Sequence, residues 1–284
     1  MIIQIREKLK NLGDKNKAEI IKKYLKSDYA FYGLKVPELR KIAKELKNLE
    51  FYDALNLFEE LWNSGNHEEM SLALYFIHNY RKKYPIELWK FLIQRVEKAK
   101  SWDHIDELGM HTLGEILAEN IPLVQEVKAL SASKNHWMRR LSLVANYPLI
   151  KKNKLDLIFL LAEKLIYDEN EYVQKGAGWM LREAGKRNRL AVREFILMHM
   201  DMQNTAFSYA TEKMKELREI RKEKILDKDK LIKRFEELDY DKIKELLNKL
   251  NINFKGEILN VKKQDILNKI LEIKNKEEIM QELK

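Results

Sequence analysis

The sequence predicts an all-α protein: a HEAT-like helical repeat solenoid with a concave binding face and a small helical C-terminal extension. Three observations carry that expectation. Gly (9) and Pro (4) are scarce in 284 residues, while 45% of positions are hydrophobic and 35% charged, a composition of helix formers with few breakers. Apolar residues recur three and four apart, as in Met70, Leu74, Ile77, Tyr80 and Tyr84, which is the period of one helix face. Trp62, Trp102, Trp137 and Trp179 stand 40, 35 and 42 residues apart, near the HEAT/armadillo period of roughly 40–47 residues. Small residues accompany them: Ser71/Ala73, Ser142/Ala145 and Gly176/Ala177/Gly178 recur in the expected second helices. They permit close helix packing and let a ligand approach the backbone.

Taken in order, helices are expected near 2–11, 16–26, 37–48, 51–63, 67–82, 86–99, 102–119, 122–131, 135–148, 153–167, 170–186, 190–202 and 204–223. Pro37 suits the first turn of its helix, after a loop through Gly33, and Pro122 sits similarly. Asn66 with Glu69 has the spacing of a capping box, and Pro85 ends the segment that follows. The texture changes at Arg221-Lys-Glu-Lys, and Trp is absent beyond Trp179. The chain is therefore divided into a repeat domain, 1–220, and a basic helical extension, 221–284. Within the extension, Lys242–Gly256 and Lys262–Ile270 read as helix, Gly-bearing loop and helix, similar to the SAP-like DNA-binding motif. A helical tail that caps the last repeat is the alternative.

Composition excludes several kinds of site. Without Cys there is no disulfide, thiolate zinc site, iron–sulfur cluster or Cys nucleophile. His104 and His111 are seven apart without HExxH spacing, so no metal is expected. No GxxxxGK[ST], GxSxG or GxGxxG string occurs, and no nucleotide cofactor or other cofactor is expected. No run approaches 18 uncharged apolar residues, and the opening Met1-Ile-Ile-Gln-Ile-Arg has no leader pattern. The expectation is a cytoplasmic monomer away from membranes. The formal charge of +9 and pI near 9.2 suit a polyanionic partner if the excess is focused on one face.

Three segments could carry chemistry. In Ser101-Trp102-Asp103-His104-Ile105-Asp106-Glu107, Ser101 can cap a helix, and Trp102 and Asp106 share a face at i,i+4. A carboxylate beside an aromatic ring can stabilise a developing cation. The same residues would also arise if the aspartates only complement the helix dipole and Trp102 packs. In Asn135-His-Trp137-Met-Arg139-Arg140, Arg140 can clamp a phosphate or pair with a surface Glu. In Gln174-Lys175-Gly-Ala-Gly-Trp179-Met-Leu-Arg182-Glu183, small residues beside a ring could admit a sugar–phosphate chain, unless Trp179 is core.

Together these segments resemble one family. Tyr24, then Phe31-Tyr-Gly33-Leu-Lys-Val-Pro37-Glu-Leu-Arg40, then Trp102 to Asp106, Trp137 to Arg140, and Lys175 to Glu183 are similar in order to the AlkD-like DNA alkylation repair family. These are HEAT-like alkylpurine DNA glycosylases of base-excision repair, and the resemblance spans roughly 1–220. It implies that Asp106 is the catalytic carboxylate and that Trp102 and Trp179 flank the lesion and its deoxyribose. Arg140 would contact the DNA backbone and Tyr24 would serve as an N-terminal aromatic at the same site. Lys175 and Arg182, within the matched segment, are expected on the DNA. The implied partner is double-stranded DNA and the implied reaction is hydrolysis of the N-glycosidic bond of 7-methylguanine or 3-methyladenine. The alternatives are a non-catalytic HEAT-like binder of DNA structure and a protein–protein scaffold.

Overall fold

Four helix starts set the architecture. In the computed structural model, which describes residues 1–254 and 258–283, Asn66, Ser101, Asn135 and Asn170 are each an N-cap residue, at intervals of 35, 34 and 35. They open α5 (His67–Ile77), α7 (Trp102–Glu107), α10 (His136–Val144) and α13 (Glu171–Gly185). The three Asn side chains accept hydrogen bonds from backbone N–H groups of the first turn, which satisfies donors that a helix start leaves free.

The helices they open stack in sequence order: α5 on α7, α7 on α10, and α10 on α13. The row extends to α3 (Val36–Glu45) at one end and α15 (Asn204–Ala210) at the other. A second row flanks it. There α4 (Phe51–Trp62) packs on α5, α9 (Val124–Leu130) on α10, and α12 (Asp156–Leu165) on α13. The remaining elements of this unit are α1 (Ile2–Leu12), α2 (Lys15–Leu25), α6 (Pro85–Val96), α8 (Gly114–Glu119), α11 (Tyr147–Lys151) and α14 (Arg189–Met198). The architecture is all-α and HEAT-like. Among the described residues the only β pairing is an isolated bridge between Ala30 and Asn66, and no helix is long and apolar enough to cross a membrane.

The inner row is packed on nearly every side. In α10 Leu141, Leu143 and Val144 are fully buried, and Arg140 and Ser142 are buried with them. Each such aliphatic side chain contributes about 1.5–3 kcal/mol. A polar group in this setting must find a partner, and the site below is built from that requirement.

The structure departs from the sequence expectations at definite places. The segment 102–119 is helical throughout but widens into a π-helix over Leu108–Leu113, a distortion that recurs at functional sites. The helix expected over 135–148 stops at Val144, because Pro148 has no N–H to continue it. Asn146 Nδ2 donates to the carbonyls of Ser142 and Leu143 in the last turn, at 2.7 and 3.2 Å. The helix expected over 204–223 breaks between Ala210 and Glu216. The tryptophans do not occupy equivalent positions: Trp62 ends α4, Trp102 begins α7 and Trp179 lies midway along α13. The repeat is real, but the N-caps mark it. Asn66 and Glu69 form half a capping box, since the Glu69 carboxylate goes to Arg6 and Tyr32.

The chain divides into two compact units, Met1–Lys213 and Met214–Lys284. The texture change at Arg221 falls inside α16 (Glu216–Glu237), so it marks no break in the backbone. The second unit has its own core, in which Leu231, Phe235, Ile243, Leu246, Ile266 and Ile270 are buried. Its other helices are α17 (Tyr240–Lys249), α18 (Lys263–Ile273) and α19 (Lys276–Glu282). Within the Gly-bearing loop expected between α17 and α18, Lys255–Glu257 lie outside the described residues.

Candidate active site and nucleic-acid interface

A cleft of about 410 Å³ opens across α7, α10 and α13. Among the residues that line it are Tyr24, Trp102, Asp106, Arg140, Lys175, Trp179 and Arg182, so all seven residues singled out in the sequence meet in one place. The stacked helices each supply a part: Trp102 and Asp106 come from α7, Arg140 from α10, and Lys175, Trp179 and Arg182 from α13.

Asp106 and Arg140 form the floor. Arg140 Nε donates to Oδ1 and Nη2 to Oδ2, both at 2.8 Å, and both residues are buried. Arg140 Nη1 donates to the Tyr172 carbonyl. This bidentate geometry is the strong form of a charge-assisted pair. Burial pushes the Asp106 carboxyl above the ordinary Asp value, against the pull of the Arg140 guanidinium, which favours the carboxylate. Arg140 is therefore not a free phosphate clamp: three of its five N–H groups go to Asp106 and to a carbonyl, and a phosphate contact would fall to its remaining Nη hydrogens.

Aromatic rings form the walls. Tyr24 is 71% exposed and meets Trp102 edge-on, with centroids 6.0 Å apart. Trp102 and Trp179 are half-buried, so neither ring is simply core. Tyr209, on α15, lines the same cleft and had no signal in the sequence. The small residues before Trp179 do not leave the backbone open, contrary to expectation. A Cβ on Gly178 would lie 2.3 Å from the Ala206 carbonyl oxygen, and one on Gly176 would lie 3.3 Å from Arg140 Nη1. These glycines let α15 and Arg140 press against α13.

The rim is cationic. Above the Asp106–Arg140 floor the lining carries Lys26, Lys175 and Arg182 against the single carboxylate of Glu171. Lys175 pairs with Glu171 at 2.7 Å, and Arg182 with Glu212 and Glu183. The pairs at Lys175 and Glu212 are partly exposed, so a polyanion can compete for these cations. Lys26 caps α2 in the left-handed conformation and was not foreseen as a site residue.

Behind Trp102, Asp103 turns away from the cleft. His67 Nε2 lies 2.8 Å from its carboxylate, and Ser101 Oγ donates to it instead of capping the helix. Burial opposes the charge on Asp103, but His67, His104 and Ser101 hold its carboxyl well below the usual range. His67, Asp103 and His104 have donor atoms within 4.8 Å of one another, a grouping that the sequence spacing did not suggest. The two imidazoles are stacked at 4.4 Å and 18°, so their in-plane lone pairs run side by side. The cluster ties α5 to α7.

The sequence model of the DNA alkylation repair enzyme family matches residues 5–214. Among solved structures, the chain is similar to a predicted DNA alkylation repair enzyme from Enterococcus faecalis, with TM-score 0.65 and 20% identity over 71% of this chain and 96% of that one. It is also similar to AlkD2 from Streptococcus mutans, with TM-score 0.51 and 19% identity over 63% and 89% of the two chains. No curated protein sequence matches it. The structural likenesses show the shared fold, and the family match, which covers the whole cleft, shows that this chain belongs to the DNA alkylation repair enzyme family.

Proposed function

We propose that the protein is a monofunctional DNA glycosylase acting on cationic alkylated purines, such as 7-methylguanine and 3-methyladenine, in duplex DNA. The observation that carries this reading is a buried carboxylate, Asp106, held by Arg140 at the floor of a cleft walled by Tyr24, Trp102 and Trp179. Alkylation at N7 or N3 gives the purine a formal positive charge. When its glycosidic bond breaks, the bonding pair leaves with the base and neutralises it, while the sugar becomes oxocarbenium-like. The Asp106 carboxylate faces that charge and orients a water, whose oxygen bonds to the sugar carbon while its proton passes to the Asp106 carboxylate and from there to solvent. The leaving base needs no proton, so one carboxylate suffices. Trp102 and Trp179 pack against the electron-poor sugar and base. Lys26, Lys175 and Arg182 hold phosphates at the rim.

The test is release of free base from methylated duplex DNA, run beside Asp106→Asn. The second reading, a binder of DNA structure without excision, draws on the same pair, since both Asp106 oxygens accept from Arg140. Tight binding of duplex or branched DNA with no base released would replace the first reading by the second.

A further inference from the structure

Arg40 closes the Phe31–Arg40 segment and takes no part in the cleft described above. It lies on α3 and lines a separate cavity of about 230 Å³ with Lys44, Lys47, Tyr75, Glu107 and His111. Its guanidinium stands 5.0 Å over the Tyr75 ring, and Nη2 lies 3.3 Å from the Glu107 carboxylate. Lys44 follows Arg40 at i,i+4 on the same face of α3, and Lys47 sits in the turn after it. Neither lysine makes an ion pair among the described residues, and both are exposed. Three cations therefore face one carboxylate, and that carboxylate is partly buried.

The position of this cavity relates it to the cleft. Trp102 and Asp106 occupy one stripe of α7, and Asp103 and Glu107 the next stripe around the same helix. A strand lying against Trp102 and Asp106 that continues around α7 towards α3 comes to Glu107 and Arg40. The guanidinium lies over the Tyr75 ring and gives Glu107 a single contact through Nη2, and a guanidinium has further N–H groups with which to meet a phosphate.

We propose that Arg40, Lys44 and Lys47 form a second anion subsite for a backbone phosphate of duplex DNA, and that Glu107 holds Arg40 in place until the phosphate displaces it. The inference rests on DNA being the partner, but not on base excision. Arg40 acts on binding, not on the reacting bond.

The experiment measures binding of the full-length protein to a short undamaged duplex by fluorescence anisotropy across a salt series, for wild type, Arg40→Ala, Lys44→Ala and Glu107→Gln. Arg40→Ala should weaken binding roughly tenfold, and its log affinity against log salt should be shallower by roughly one. Lys44→Ala should weaken binding less, and Glu107→Gln should tighten it several-fold by freeing the guanidinium. If Arg40→Ala unfolds, Lys44→Ala, which removes no ion pair, carries the test with Glu107→Gln. Unchanged affinity and slope in the Arg40 and Lys44 variants, or weaker binding by Glu107→Gln, would overturn the proposal. An acidic peptide competing at Arg40 where duplex does not would do the same. A wild type that binds but releases no base removes the glycosylase reading and leaves this subsite to its own measurement.

Discussion

Gly109 meets Val144 with no room for a side chain between them: a Cβ at position 109 would lie 2.5 Å from Val144 Cγ2 and 3.2 Å from Leu141 Cδ1. That contact presses the start of the π segment onto α10, and the preceding turn carries Asp106 to Arg140. Gly109→Ala should therefore strain the pair as well as the core. Overpacking of this kind costs about 1–3 kcal/mol. Thermal unfolding should show the loss of stability, and excision should slow by more than the folded fraction explains. Wild-type excision by the folded variant would show that the pair does not depend on this contact.

The ion pair changes what Arg140 substitutions should do. Removing one member of a buried pair leaves the other charge uncompensated, which costs about 3–5 kcal/mol. Arg140→Ala should lower the unfolding midpoint and depress base release more than it weakens DNA binding. Asp106→Asn should lower the single-turnover rate by about 10²–10³, the usual cost of losing one preorganised electrostatic interaction, and should change the dissociation constant little. A uniform loss of affinity in Arg140→Ala, with excision intact at saturation, would restore the phosphate-clamp role.

If Asp106 is the catalytic carboxylate proposed above, an acid limb of the activity follows from the same burial. Only the carboxylate form of Asp106 can face a developing cation. Because burial raises its carboxyl above the ordinary value of 3.8, activity should be present above that raised value and lost as pH falls through it. The pH profile of single-turnover excision should therefore break at a higher pH than a free aspartate would give. Arg140→Lys keeps the charge but loses the fork, and should move the break higher still.

One buried and one half-buried histidine, His104 and His78, predict acid sensitivity of the fold. Burial lowers His104 from 6.5 to about 4, and burial together with Arg81 lowers His78 to about 4. A histidine with a depressed folded value contributes stability that is fully present above 6.5 and is lost as pH falls from 6.5 towards 4. Unfolding midpoints taken across that window should fall steadily. His78→Gln should flatten the slope, and an equally steep slope in that variant would assign the effect elsewhere.

The separate core of the second unit makes truncation informative. A chain ending at Lys213 should keep the cooperative unfolding of the repeat unit, because the buried residues Leu231 to Ile279 pack with one another. A chain ending at residue 220 should gain only the opening residues of α16. Its unfolding should be no more cooperative than that of the shorter chain. Loss of cooperative unfolding in the Lys213 chain would show that the repeat unit needs the second one.

Much of this was legible in the sequence, for reasons that differ by residue. Apolar period and Pro placement gave most helices to within a few residues, since both act within a turn. Asp106 and Trp102 were legible as a pair because i,i+4 spacing fixes them on one face. The partner of Arg140 was not, because Asp106 is 34 residues away and reaches it only through helix stacking. Gly178 was misread as an opening, since nothing local shows that Ala206 and Tyr209 fill it. The tryptophan spacing and the recurring small residues point to the repeat, but the tryptophans stand at different positions in their helices. The Asn66, Ser101, Asn135 and Asn170 series of N-cap positions was present in the same sequence, and at the three Asn it has a mechanical cause in side-chain capping.

That capping series also limits how the chain can change its length. Tyr24 apart, the cleft draws its main groups from three consecutive pairs: Trp102 and Asp106 from one, Arg140 from the next, Trp179 from the third. An extra pair inserted at either end of the row would leave these neighbours in contact. The same pair inserted between α7 and α10, or between α10 and α13, would part Asp106 from Arg140 or Arg140 from Trp179 by the thickness of a helix. Relatives that share this chemistry should therefore gain or lose helices only outside residues 101–185, while the interval between those N-caps stays constant.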